Sequence, residues 1–295
     1  MPRKLATLST VVVVLLPISW SSGAWAQCQP GTLCSQPSPC GTVKCYRQGE
    51  WYVAETVNFQ VWSDETETAT QRSAVQAERL RTELTCKWFG DAADKPWTPR
   101  CQIVLHGSRS SYVAAVGQGS EGTLGSSAIT FDAGQVIGRR IDLLAADAPF
   151  LTNALPHELT HVLLRDRFVA GVLPRWADEG MAMVADPEAK QARHLRDLRT
   201  AMANSKEFSA AELLTMHDYP RSDRRQAFYG QSVFVANLLI ARKSPRQFVT
   251  FLERAVSIGY DEALEEIYGI AGLADLDRLW RRNLYEVRLA SNRDG

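Results

Sequence analysis

The 295-residue chain predicts an α+β fold on three observations. Strand-like alternation and short apolar runs occupy the first half. Helical spacing occupies nearly everything from about Asn153 onward. No linker, repeat or low-complexity tract separates the two. A hydrophobic fraction of 45% and a charged fraction of 22% are those of a globular protein with a sizeable core. With 33 basic and 33 acidic residues and no basic stripe, nucleic acid is not an expected partner.

Arg3 and Lys4 open the chain, Leu8 to Trp20 is mostly apolar, and Ala24-Trp25-Ala26 forms an A-x-A site before Gln27. That three-part pattern predicts a signal peptide over residues 1–26 and an exported mature chain, whether secreted, periplasmic or at the cell surface. The apolar stretch is shorter than the roughly 20 residues that span a bilayer, and Pro17 interrupts it, so no stable membrane insertion is expected after cleavage. Gln27 is a poor residue to precede a lipidated cysteine, which argues against an anchor at Cys28.

All six cysteines (Cys28, Cys34, Cys40, Cys45, Cys86, Cys101) follow the expected cut. An even number in an exported chain reads as disulfides, here stapling a Pro- and Gly-rich segment over 27–50. Cys86 and Cys101 flank a helix-to-strand connection, so they are the expected pair. Closing a loop of that length would stabilise by roughly 3 kcal/mol in the chain-entropy model. A zinc knuckle in 28–45 is the rival reading, weakened because no C-x-x-C spacing occurs.

The main domain is expected over 51–295. Trp51 to Trp62 alternates enough for one or two strands, and Thr68 to Phe89 carries Ala74, Ala77, Leu80 and Leu84 at helical spacing. Cys101 to Leu105 reads as a buried strand, with a Ser-rich helix start at Ser108 to Ser111. Gly117 to Gly125 is rich enough in Gly and Ser to be an exposed loop. Ala128 to Phe131 and Ile137 to Leu144 are two further strand candidates, either of which could bind an extended peptide by edge pairing.

The chemistry is concentrated in His157-Glu158-Leu159-Thr160-His161. Positions four apart on a helix lie about 40° apart around the axis, so both imidazoles can face one metal. Glu158, one step round, can reach a water beside that metal without being a ligand. Two His ligands with a Glu as general base is the zinc-peptidase pattern. Pro156 suits a first turn, Leu159, Val162 and Leu163 supply a buried face, and Gly171 would end the helix. The bland alternative is a structural, salt-bridged His pair.

A catalytic zinc needs a third protein ligand. Asp166, Asp178, Glu179, His194 and His217 are the candidates. Asp166 shares the His helix but projects elsewhere. Glu179 lies in Trp176-Ala177-Asp178-Glu179-Gly180-Met181-Ala182, a short second helix reached by a tight loop through Gly171 and Pro174. Gly180 and Ala182 would let it pack closely on the first helix, and the longer glutamate arm favours Glu179 over Asp178.

His157 to His161, seventeen intervening residues, then Glu179 within W-x-x-E-G-x-A resembles the gluzincins, most of all the peptidase MA-like proteins related to the thermolysin and aminopeptidase lineages. Tyr229-Gly230-Gln231-Ser232, before a helix over Val233 to Ile240, resembles that family's Tyr-x-Gln-Ser segment. Ala263 through Tyr268-Gly269 to Trp280-Arg281 resembles its closing helices. The likeness implies a thermolysin-like zincin fold, one zinc ion on His157, His161 and Glu179, Glu158 as acid/base, and Tyr229 as a donor to the oxyanion. His217 is a second possible donor, more readily read as a surface histidine. The ligand gap is shorter than in the aminopeptidase branch, and no pattern for gripping a free N-terminus is evident. The expectation is therefore an endopeptidase acting on a peptide or protein. The alternatives are an amidohydrolase for a non-peptide, cell-wall-type amide and a non-catalytic binding protein on the same fold.

Overall fold

The structure is a computed structural model that describes residues 43–90, 95–146, 150–168 and 173–291. The expected signal peptide, Cys28, Cys34, Cys40 and Gly171 lie outside the described residues. The architecture is α+β: a six-stranded mixed sheet followed by a mostly helical remainder.

The sheet contains β1 (Lys44–Gln48), β2 (Trp51–Glu55), β3 (Phe59–Ser63), β4 (Cys101–His106), β5 (Gly125–Asp132) and β6 (Gln135–Leu144), in the order β1-β2-β3-β4-β6-β5. β1 to β3 form an antiparallel meander, β3, β4 and β6 run parallel, and β5 returns antiparallel along the edge of β6. β1 belongs to the segment that composition alone groups with the cysteines. β5 begins at Gly125, three residues before the strand expected there. β6 is paired on both sides, so of the two peptide-pairing candidates only β5 has a free edge.

Helix α1 (Glu67–Phe89) joins β3 to β4. Thr66 accepts a hydrogen bond from the Ala69 N–H at its start, and Ala74, Ala77, Leu80, Leu84 and Trp88 form its buried stripe. That stripe and helix α4 (Leu155–Arg167) cover one face of the sheet, where alternate residues Phe59, Val61, Ile103, Leu105, Ile141 and Leu143 are buried. Between β4 and β5 lies the short helix α2 (Arg109–Val116), and a single turn, α3 (Phe150–Asn153), leads into α4. Behind α4, Arg139 of β6 donates to Asp166 at 3.0 Å in a mostly buried ion pair. This confirms that Asp166 points away from the two histidines.

Cys101 is a free, buried thiol at the start of β4, so the expected Cys86–Cys101 disulfide is not formed. Cys86 is disulfide-bonded, and Cys45 is also free. The helical period explains the failure. Cys86 lies two residues from both Leu84 and Trp88, about 200° round the axis, and so faces away from the core between helix and sheet into which Cys101 points.

The remaining helices are α5 (Arg175–Val184), α6 (Glu188–Ala203), α7 (Ala210–Leu214), α8 (Arg225–Arg242), α9 (Pro245–Ile258), α10 (Tyr260–Tyr268) and α11 (Leu273–Ser291). From Trp176 to Met183, α5 is buried on all sides. Gly180 permits a close approach, but to α8 rather than to α4. A Cβ there would lie 2.8 Å from the Ser232 carbonyl oxygen and 3.2 Å from Ala236 Cβ. Gly230 does the same between α8 and α6, where a Cβ would meet the His194 carbonyl oxygen at 2.5 Å. Tyr229 to Ser232 thus lies within α8 instead of leading into it. No described helix is long and apolar enough to cross a membrane.

Candidate metal centre and its cleft

Helix α4 presents His157 and His161 on one face, one turn apart. Their Nε2 atoms approach to 3.3 Å. Glu179 enters from α5, and one donor atom from each of the three residues lies within 4.8 Å of the other two. Two imidazole nitrogens and one carboxylate oxygen are a donor set that could hold a metal ion such as zinc.

The far side of each imidazole faces a carboxylate. His161 Nδ1 donates to Asp178 Oδ1 at 2.7 Å, which leaves the lone pair on Nε2, toward Glu179. Asp178, weighed from sequence as a ligand, instead hydrogen-bonds to His161. His157 Nδ1 lies 3.2 Å from Asp186 Oδ1 but is not aligned to hydrogen-bond with it. Lys190 Nζ donates to the same oxygen at 2.9 Å. Without a metal, burial of the His161 ring disfavours its charge, yet Asp178, with Glu179 and Glu158, outweighs this and holds its pKa up to about 10. Asp178 is correspondingly depressed: burial opposes this, but His161, Arg165 and Arg175 prevail.

Glu158 is buried at the base of the cleft. Ser127 Oγ of β5 donates to Glu158 Oε2 at 2.8 Å. Gly125, two residues earlier on the same face of β5, leaves room for the glutamate stem, since a Cβ there would stand 2.7 Å from Glu158 Cγ. The strand is anchored at its start. Tyr112 Oη and Thr123 Oγ1 are 2.7 Å apart, and Arg109 donates to the Thr123 carbonyl.

The cleft has a volume of about 510 Å³, with β5 along one wall and α4, α5, Tyr219 and Tyr229 around the rest. Tyr229 is among the lining residues. Its hydroxyl makes no hydrogen bond among the described residues, and burial, then Glu179, pushes its pKa up. Tyr219 was not anticipated. It donates to Glu179 Oε1 at 2.5 Å, and burial together with that carboxylate raises its pKa well above the usual phenol range. His217, two residues earlier, is exposed and does not line the cleft. His194 sits on α6, against Tyr229, with ring centroids 6.4 Å apart and its Nε2 buried without a hydrogen-bond partner among the described residues.

Comparison with known proteins finds nothing. No family model, no curated protein and no solved structure matches the chain. Any functional reading therefore rests on the cleft itself: three convergent donors, the further buried carboxylate of Glu158, two tyrosines, and a strand with an unpaired edge.

Proposed function

We propose that the protein is a zinc-dependent endopeptidase of gluzincin type, folded as a thermolysin-like zincin and acting outside the cytosol. The observation that carries this reading is the convergence of His157, His161 and Glu179 beside Glu158 in an open cleft. The residues fit a zinc ion: the donor chemistry is right, three protein ligands leave a position for substrate, His161 is hydrogen-bonded to a carboxylate through its far nitrogen, and His157 has one 3.2 Å from its own. A disulfide at Cys86 fits an oxidising compartment, as the N-terminal export pattern does.

When bound, zinc supplies Lewis-acid polarisation of a carbonyl and acidifies water. The chain's own residues supply the rest. An extended peptide lies along the free edge of β5 and pairs with its backbone. Glu158, held by Ser127, accepts a proton from the attacking water at a carboxylate oxygen and returns it to the leaving amine nitrogen. Tyr219 is committed to Glu179, so Tyr229, whose hydroxyl has no hydrogen bond among the described residues, is the donor available to the developing oxyanion. Asp178 holds the His161 tautomer throughout.

The test is digestion of a mixed peptide library by the purified, zinc-loaded mature chain, with Glu158→Gln alongside. Internal cuts that vanish in the variant while zinc is retained support the reading, and trimming confined to termini overturns the endopeptidase assignment. No cleavage despite bound zinc overturns the peptidase assignment altogether.

A further inference from the structure

The cleft contains two guanidinium groups that the proposed chemistry does not use. Arg165 lies four residues past His161 on α4, and Arg175 four residues before Glu179 on α5. The i,i+4 spacing puts each arginine on the same helical face as the ligand beside it, about 6 Å along the axis. Both line the same cleft as the three donors.

Of the two, only Arg165 has a carboxylate within ion-pairing distance. Arg165 is about one-third exposed and donates to Asp178 Oδ2 at a long 3.5 Å, while His161 engages Oδ1 of the same carboxylate at 2.7 Å. Arg175 forms no ion pair among the described residues. Its guanidinium lies 4.8 Å from the centre of the Tyr219 ring, and stacking of this kind fixes the plane of the fork without satisfying its donors. A half-buried, oriented guanidinium with no ion pair among the described residues, lining the same cleft as a second one, offers its donors to a carboxylate.

We propose that Arg165 and Arg175 form a subsite for a carboxylate on the substrate. The inference rests on the peptidase reading for the position of the scissile bond. An extended chain advances about 3.3 Å per residue, so one turn of α4 beyond His161 corresponds to a substrate residue one or two positions from that bond. β5 runs past at the matching place, because Ser127 meets Glu158 whereas Ile129 pairs with Arg139, the partner of Asp166. The carboxylate is either an acidic side chain or the free C-terminus of a short peptide.

The experiment measures binding of three fluorescent peptides to the full mature, zinc-loaded Glu158→Gln protein by anisotropy, with turnover by the unsubstituted protein measured in parallel. One peptide carries an internal Glu and an amidated end, the second Gln with a free C-terminus, and the third Gln with an amidated end. One of the first two should bind about tenfold more tightly than the third, and which of them does identifies the source of the carboxylate. Adding Arg175→Gln should remove that advantage and leave the neutral peptide's Kd unchanged. Arg175→Lys should restore part of it, and added salt should erode it. Equal binding of all three peptides, uniform weakening by Arg175→Gln, or no binding at all overturns the subsite. Discrimination without turnover keeps the subsite and overturns the peptidase reading, whereas turnover without discrimination does the reverse.

Discussion

Replacing Gly125 with Ala should disable catalysis without disturbing fold or metal. The added methyl would lie 2.7 Å from Glu158 Cγ and 2.9 Å from its Oε1, where ordinary contact begins at 3.4 Å. β5 cannot simply retreat, because it is laddered to β6 and anchored through Thr123, so the glutamate side chain must move. The required displacement approaches the ~1 Å at which misplaced groups cost about a hundredfold in rate. A loss of about 30- to 100-fold in kcat/KM is expected, or about 2–3 kcal/mol of barrier. The assay is hydrolysis of a peptide taken from the library, alongside zinc content and thermal unfolding. Gly138→Ala on β6 is the control, since a Cβ there meets only Thr130 at an ordinary 3.6 Å. If Gly125→Ala keeps full kcat/KM, Glu158 does not need the position it occupies, and its role as base fails.

Other consequences can be measured in the same way. Asp178→Asn should weaken zinc binding by about 10- to 100-fold in a chelator competition, and Asp186→Asn by less, because only Asp178 is aligned to hydrogen-bond its histidine. Equal losses would contradict this. Tyr229→Phe should lower kcat by about a hundredfold at unchanged zinc affinity. Tyr219→Phe, which frees Glu179 Oε1, should act on zinc affinity instead, and a swap of these outcomes would exchange the two roles. Asp142 accepts from Arg140 at 2.7 Å and sits 2.8 Å from His106 Nε2; burial disfavours its charge, but these partners hold its pKa below the usual carboxylate value. Its stabilising contribution is therefore complete above an ordinary carboxylate pKa and is lost as pH falls through the depressed one. In urea titrations Asp142→Asn should be less stable than the unsubstituted chain at pH 7, and the gap should close toward acid. A gap that does not change with pH would sink that assignment.

Much of the site is local in sequence and so was legible there. The two histidines and Glu158 occupy one turn of one helix, and Glu179 follows within one short helical segment, so spacing alone brings them into question. Asp186 and Tyr219 reach the site from elsewhere. Asp186 sits in the connection between α5 and α6, and Tyr219 in an irregular stretch between α7 and α8 without periodicity, so only the packing of helices delivers them. Gly125 reads as the end of a loop, and Ser126 and Ser127 fall short of the strand expected at Ala128, because Gly and Ser are poor strand formers. At the edge of a sheet the ladder with β6 sets the conformation, and the glutamate behind it excludes a larger residue at 125. The small residue at 180 was correctly read as a close contact, but a sequence does not reveal which neighbour is approached. The disulfide expectation failed for a related reason, since proximity along the chain ignored the side of α1 from which Cys86 projects.

The free thiol of Cys101 gives the molecule an internal clock. Burial in the core pushes its pKa far above the ordinary thiol range, so in the native state it is shielded from electrophiles both by packing and by the absence of thiolate. Cys45, only partly covered on β1, should be alkylated first and can be saturated in advance. Any later reaction at Cys101 then requires β4, a central strand of the sheet, to come free. The rate at which label appears on Cys101 thus reports how often the body of the protein opens, without denaturant.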